Sequence, residues 1–178
     1  NNKKENINQL EYSALLETLP SLSTLENVLD SVGHKTNINI EIKNQGAGSS
    51  YVVNQTIRSL KKLNLIDNVI ISSFNPWIIK ESKKIDDRFI TAWILGEKNI
   101  HFFSFWRPLL QYFKIDAIHI NHRCVNKKII EKIHSYNMKV IAYTVNSEVA
   151  LKSLIGKKID GVFTDSPKIL QISKNLIP

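Results

Sequence analysis

The chain has 178 residues, 43% of them hydrophobic and 22% charged, which suits one globular domain with a sizeable core and excludes a disordered or fibrous chain. Its 24 lysines and arginines outweigh 16 acidic residues for a net charge of +8. The lysines nevertheless fall in separated pairs (Lys61-Lys62, Lys83-Lys84, Lys127-Lys128, Lys157-Lys158) without interleaved aromatics, the pattern of solvated helix surfaces and not of a nucleic-acid platform. Cys124 is the only cysteine, so an internal disulfide and a multi-thiolate metal site are excluded. No apolar run approaches the roughly 20 residues of a membrane span, so no stable membrane insertion is expected.

In chain order, STLENVLDSV from Ser23 to Val32 predicts a helix with Ser23 and Glu26 at capping-box spacing and Leu25, Val28, Leu29 and Val32 on one face. NINIEIKNQ, Asn37 to Gln45, predicts a strand whose isoleucines alternate with Asn39, Glu41 and Lys43, giving one apolar and one charged face. A helix with Val53, Ile57, Leu60 and Leu63 in step follows, then a β-branched strand from Val69 to Ser73. Asn75 and Pro76 open the next helix as cap and first helical residue, and Ile90 to Leu95 forms the next strand.

The second half repeats the pattern. A helix around Ser104 to Phe113 precedes a strand from Asp116 to Ile120; NKKIIEKIHSYN predicts a helix with Ile129, Ile130 and Ile133 inward and Asn137 ending it. Lys139 to Val145 is a strand, Ser147 opens and Gly156 closes a helix, DGVFTD is a strand, and Pro167 starts a last helix. Strands followed by helices at a spacing of roughly 20 to 30 residues define parallel β/α architecture.

An open doubly wound sheet that binds a nucleotide carries a glycine-rich turn after a strand, and the GAG at Gly46 to Gly48 lacks that spacing. A (β/α)8 barrel gathers functional side chains at the C-terminal ends of several strands. Polar residues stand there: Glu41 and Lys43, Ser73, His119 and Asn121, Tyr143 and Asn146, Thr164 and Asp165. The expected fold is therefore α/β, a TIM (β/α)8 barrel.

STLENVL before INIEIK, then SSFNP, then DAIHINHRCVNKKIIEKIHSYNMKVIAYTVN, and finally DGVFTDSP, resemble in order the motifs of the glycerophosphodiester phosphodiesterases, most nearly the soluble cytoplasmic bacterial branch. The resemblance covers nearly the whole chain. It implies a barrel of the PLC-like phosphodiesterase type that hydrolyses glycerophosphodiesters to sn-glycerol 3-phosphate and an alcohol through a cyclic phosphate, with Mg2+ or Ca2+ as cofactor. By the same resemblance Glu41 is a metal ligand, Lys43 lies near the phosphate, and Ser73, Phe74, His119 and Tyr143 line the pocket. A small-molecule diester is then the partner, without nucleic acid; a homo-oligomer stays open. A phospholipase-type diesterase, with HFFSFW at His101 to Trp106 as an apolar rim, and a non-catalytic barrel remnant are the alternatives.

The family's opening segments, which carry HRG, a Glu-x-Asp pair and HD and with them both catalytic histidines, do not precede Glu41. The expectation is that residues 1–178 are the C-terminal three-quarters of one barrel domain, with strands three to eight of the family present and the first two missing, and that this stretch alone is inactive. General acid-base chemistry at a phosphate needs the histidines, and a hard cation needs more oxygens than Glu41 supplies.

Overall fold

The computed structural model describes residues 10–43, 49–97 and 107–176. Six strands, β1 (Ile38–Glu41), β2 (Val69–Ser73), β3 (Ile90–Leu95), β4 (Ala117–Asn121), β5 (Lys139–Tyr143) and β6 (Gly161–Val162), form one sheet in the order β1-β2-β3-β4-β5-β6. Every adjacent pair is parallel. Chain order and spatial order coincide, as in a β/α barrel and unlike a doubly wound sheet, whose strand order reverses at a switch point. The protein is α/β with a partial TIM barrel.

Eight helices accompany the strands among the described residues: α1 (Tyr12–Thr18), α2 (Leu25–Val32), α3 (Ser49–Lys62), α4 (Pro76–Ile85), α5 (Arg107–Phe113), α6 (Lys127–His134), α7 (Glu148–Gly156) and α8 (Pro167–Leu176). Their starts follow local chemistry. The side chains of Asn75, Asn126 and Ser147 each accept a hydrogen bond from a first-turn backbone N–H, and α4 carries Pro76 where a missing N–H costs nothing. Asn137 takes the left-handed conformation, φ 63°, shortly after α6.

Several readings of the sequence need correcting, among them the strands expected over Lys139 to Val145 and over DGVFTD, which are Lys139–Tyr143 and Gly161–Val162. The cap of α2 is Thr24, whose Oγ1 accepts from the Asn27 N–H, while Glu26 turns away from a capping box to accept from Ser59 Oγ at 3.0 Å. The first strand is shorter than Asn37 to Gln45, ending at Glu41, although the Ile42 N–H still bonds the Ser72 carbonyl at 2.8 Å. Helix α1 has no counterpart in the sequence reading because none of its residues is buried, so no apolar face announces it. The proposed rim at His101 to Trp106 and the start of the helix before Phe113 lie outside the described residues.

Alternation decides what each strand offers. Ile38 and Ile40 of β1, Ile42 just after it, and Val69 and Ile71 of β2 pack with Val53 and Ile57 of α3. Ile118, Ile120, Val140 and Ala142 of β4 and β5 pack with Ile130 and Ile133 of α6. Each such fully buried isoleucine contributes about 1.5–3 kcal/mol. The alternate residues, including Asn39, Glu41, Ile94, His119 and Tyr143, therefore face the barrel interior.

Candidate active site at the strand C-terminal ends

The interior-facing set opens into a cavity of about 220 Å³ lined by Asn39, Glu41, Phe74, Ile94, His119, Tyr143, Thr144 and Phe163. Asn39 and Glu41 belong to β1 and Phe163 follows β6, so the first and last strands share one cavity. That requires the sheet to curl on itself, and it places the cavity at the barrel mouth.

Glu41 ends β1 with its side chain exposed to this space and makes no hydrogen bond or ion pair with any described residue. Lys43 is likewise exposed and without a partner among the described residues, and it stands outside the cavity lining, two residues past the strand end. The two charges thus do not neutralise each other as an ordinary surface pair would.

His119 is 1% exposed, and its ring meets Phe163 edge-on with centroids 4.9 Å apart. Its Nε2 is buried with no partner among the described residues. Burial lowers its pKa to about 4, so the imidazole is neutral at physiological pH. Tyr143 donates its hydroxyl hydrogen to the Leu95 carbonyl at 2.9 Å. Burial first, then the negative charge of nearby groups including Glu41 and Glu97, pushes its phenol up. Phe74 is 52% exposed on the rim, its carbonyl held by the Trp93 indole N–H at 3.1 Å.

Ser73 departs from the expected pocket position. It lies on the helix-facing side of β2, fully buried, donating to the Ile42 carbonyl at 2.7 Å and accepting from the Asn75 N–H at 3.1 Å. Its hydroxyl fastens the end of β1 to the turn into α4, and Ser72 is the interior-facing neighbour by alternation. Ile94, Thr144 and Phe163 line the cavity without having been singled out in the sequence, and Asn39, read there only as part of the strand's charged face, joins them. Stepping back two residues from Glu41 finds Asn39, whereas Phe163 is visible only once β6 is placed in register.

Farther round the mouth, Asn121 Nδ2 donates to Glu97 at 3.1 Å. Asn146 clamps the ends of β5 and β6 by accepting from Thr164 Oγ1 and the Asp165 N–H while donating to the Asp165 carboxylate. A larger cavity of about 490 Å³ lies among Lys83, Asp87, Lys114 and Asp116, but those charges already pair, Lys83 with Asp116 at 2.8 Å and Lys114 with Asp87 at 2.9 Å. The smaller cavity, whose carboxylate is uncommitted, is the better candidate site.

A divalent cation is what the donor chemistry of Glu41 would suit, yet no three His, Cys, Asp or Glu side chains gather to hold one among the described residues. Ca2+ takes 6–8 oxygens and Glu41 provides at most two. The described residues do not complete a cation site.

The fold and the cavity at its strand C-terminal ends define a β/α barrel of the partial TIM type, and comparison with known proteins narrows it. Residues 2–169 match the Glycerophosphoryl diester phosphodiesterase family, and the chain belongs to that family. It is 25% identical over 150 residues to a glycerophosphodiester phosphodiesterase of Caldanaerobacter subterraneus, covering 84% of this chain and 60% of the relative. It is 27% identical over 154 residues to one of Bacillus subtilis, covering 82% and 52%. The chain thus spans between half and three-fifths of these relatives' length.

Among solved structures, an Oleispira antarctica phosphodiesterase in complex with the product sn-glycerol-3-phosphate superposes with a TM-score of 0.72 at 21% identity, covering 84% of this chain and 58% of that one. The glycerophosphodiester phosphodiesterase of Thermotoga maritima gives 0.70 at 22% identity, covering 86% and 65%. At these identities the likeness shows the fold. No helix among the described residues is long and apolar enough to cross a membrane.

Proposed function

We propose that this chain forms the C-terminal three-quarters of one barrel domain that hydrolyses glycerophosphodiesters to sn-glycerol 3-phosphate and an alcohol. The observation that carries the reading is Glu41, a carboxylate without a partner among the described residues at the mouth of a barrel of this family. In this reading Glu41 contributes oxygen to a divalent cation, Mg2+ or Ca2+, completed by carboxylates outside residues 1–178. When bound, the cation would neutralise phosphate charge.

The chain's own residues do the rest of the positioning. Lys43, one residue beyond the buried Ile42 anchor, brings an ammonium to the phosphate. Phe74, Tyr143 and Phe163 form an aromatic wall for the glycerol carbons, and neutral His119 braces Phe163 without adding charge. Ser73 fixes the β1 end so that Glu41 and Lys43 keep their direction. The acid-base pair at the leaving oxygen is supplied from outside the chain in this reading, so residues 1–178 alone are inactive.

The test uses the full-length protein carrying this sequence, with sn-glycerol 3-phosphate release from glycerophosphocholine measured before and after chelation. Activity that disappears with chelator and returns with Mg2+ or Ca2+ supports the reading. A folded full-length protein inactive on a panel of glycerophosphodiesters overturns it in favour of a non-catalytic barrel.

A further inference from the structure

Away from the mouth, α4 and α5 present an outer face that the proposed hydrolysis does not use. Trp77 is 59% exposed and Tyr112 54% exposed, large values for aromatics within a packed β/α layer. The two rings meet edge-on with centroids 6.2 Å apart, and the Lys80 ammonium sits 3.3 Å from the Tyr112 centroid and 5.5 Å from that of Trp77. Beside them lies a depression of about 240 Å³ lined by Lys80, Lys83, Lys84, Tyr112, Phe113 and Lys114. Its floor is aromatic and its rim carries ammonium groups.

The charges on this rim are not equivalent. Lys83 is committed to Asp116 and Lys114 to Asp87. Lys80 and Lys84 have no ion pair among the described residues. Glu81, on the same helix, keeps its negative charge and is turned toward α3, where it accepts from Ser50 Oγ at 2.8 Å. Two ammonium groups without an ion pair among the described residues, beside half-exposed indole and phenol rings, form the composition found where protein meets a lipid headgroup layer, aromatics at the boundary and lysines over the phosphates. A single-stranded nucleic acid would need open ring faces for its bases, and Lys80 already occupies the face of Tyr112.

We propose that the α4–α5 face built on Trp77, Lys80, Lys84 and Tyr112 is a peripheral docking surface for an anionic phospholipid bilayer. Its Trp77 end follows the cavity-rim residue Phe74 by three positions, while Lys84 and Tyr112 lie toward the ends of α4 and α5 that lead into β3 and β4. Nothing crosses the bilayer in this arrangement. It stands independently of the hydrolytic reading.

The experiment is co-sedimentation of the full-length protein with vesicles of phosphatidylcholine alone and of phosphatidylcholine mixed with phosphatidylglycerol. The expected result is binding to the mixed vesicles that weakens as salt rises, with little binding to phosphatidylcholine. K80E/K84E should weaken it by about 25-fold or more, from a factor of about five for each lysine lost near an anionic surface. W77A/Y112A should weaken it about threefold or more. Reversal of an unrelated pair, K157E/K158E, should change it less than about twofold, which separates a docking face from the pull of net charge.

If either charge-reversal variant fails to fold by circular dichroism, K80Q/K84Q and K157Q/K158Q serve the same comparison. Equal binding to both vesicle types, no binding, or equal losses from the two lysine pairs would each overturn the proposal. So would full displacement by soluble glycerol phosphate, which would make the depression a small-anion site.

Discussion

The two ends of the strands are built on opposite economies of charge. At the N-terminal ends, carboxylates are committed. Asp116, just before β4, accepts from the Thr91 N–H of β3 at 2.8 Å and pairs with Lys83; Asp160, just before β6, accepts from the Val140 N–H of β5 at 2.8 Å and binds His134 and Lys139. Asp86, ahead of β3, holds Arg88 and Lys61, and these contacts push its carboxyl far below the usual carboxylate range. At the C-terminal ends, Glu97 and Asp165 accept only from the neutral amides of Asn121 and Asn146, Glu41 and Lys43 are uncommitted among the described residues, and His119 is neutral. One device, an aspartate before a strand bonding the first N–H groups of its neighbour, fixes register below, so the mouth above is free to keep groups unpaired.

The sharpest break between the two ends should come from matched carboxylate substitutions. Glu41→Gln removes a charge that binds no described residue, so stability should move by less than about 0.5 kcal/mol, while hydrolysis by the full-length protein should fall about 100-fold or more. Thermal melting and product release on one preparation check both. A large loss of stability, or retained activity, would mean that Glu41 belongs with the structural carboxylates.

Asp160→Ala is the converse. It strands the Val140 N–H and releases His134 and Lys139 together. Burial raises the carboxyl, but these donors outweigh it and the net shift is downward, so the ionised form is held in the fold. A loss of about 3 kcal/mol is expected, with Asp160→Asn losing about half by keeping an acceptor. Melting midpoints should follow that order, and an unchanged midpoint in the alanine variant would refute the register role.

His119 carries the contrast into pH. Its folded pKa of about 4 lies below its ordinary 6.5, so the unfolded chain binds the extra proton between those values. The contribution is present above pH about 6.5, falls as pH drops and is lost by about pH 4, for a total of about 3 kcal/mol. Denaturant titrations across this window should show a shallower pH slope for His119→Gln than for the native protein. Equal slopes would place the proton elsewhere.

Most of the architecture was legible in the sequence because β-branched runs and capping residues act locally. Val69 to Ser73 and Ile90 to Leu95 form strands with the expected ends, and Asn75 and Ser147 cap helices where expected. The cavity was legible through family motifs for Glu41, Phe74, His119 and Tyr143, which share it. Ser73 was not, since a hydroxyl one residue from an interior position changes face, and motif order does not report strand register. The choice of Thr24 over Ser23 as cap turns on Glu26 finding Ser59, a residue 33 positions away. The α2 face was read correctly as apolar, yet only Leu29 is buried, while Leu25, Val28 and Val32 remain exposed.

The smallest effect tests whether the Tyr143 hydroxyl belongs with the structural ties of the mouth, beside the Asn146 clamp on Thr164 and Asp165. Tyr143 bridges β5 to the end of β3 through its bond to the Leu95 carbonyl, spanning β4 and the interior. Tyr143→Phe keeps the aromatic wall and removes only that bond, so about 1 kcal/mol of stability should be lost. If the hydroxyl merely braces the wall, KM for a glycerophosphodiester should rise slightly with kcat unchanged, because the ring still packs against substrate carbons. A drop in kcat without a change in melting would instead assign the phenol to the reacting centre, and Tyr143 would then join Glu41 and Lys43 on the functional side of the mouth.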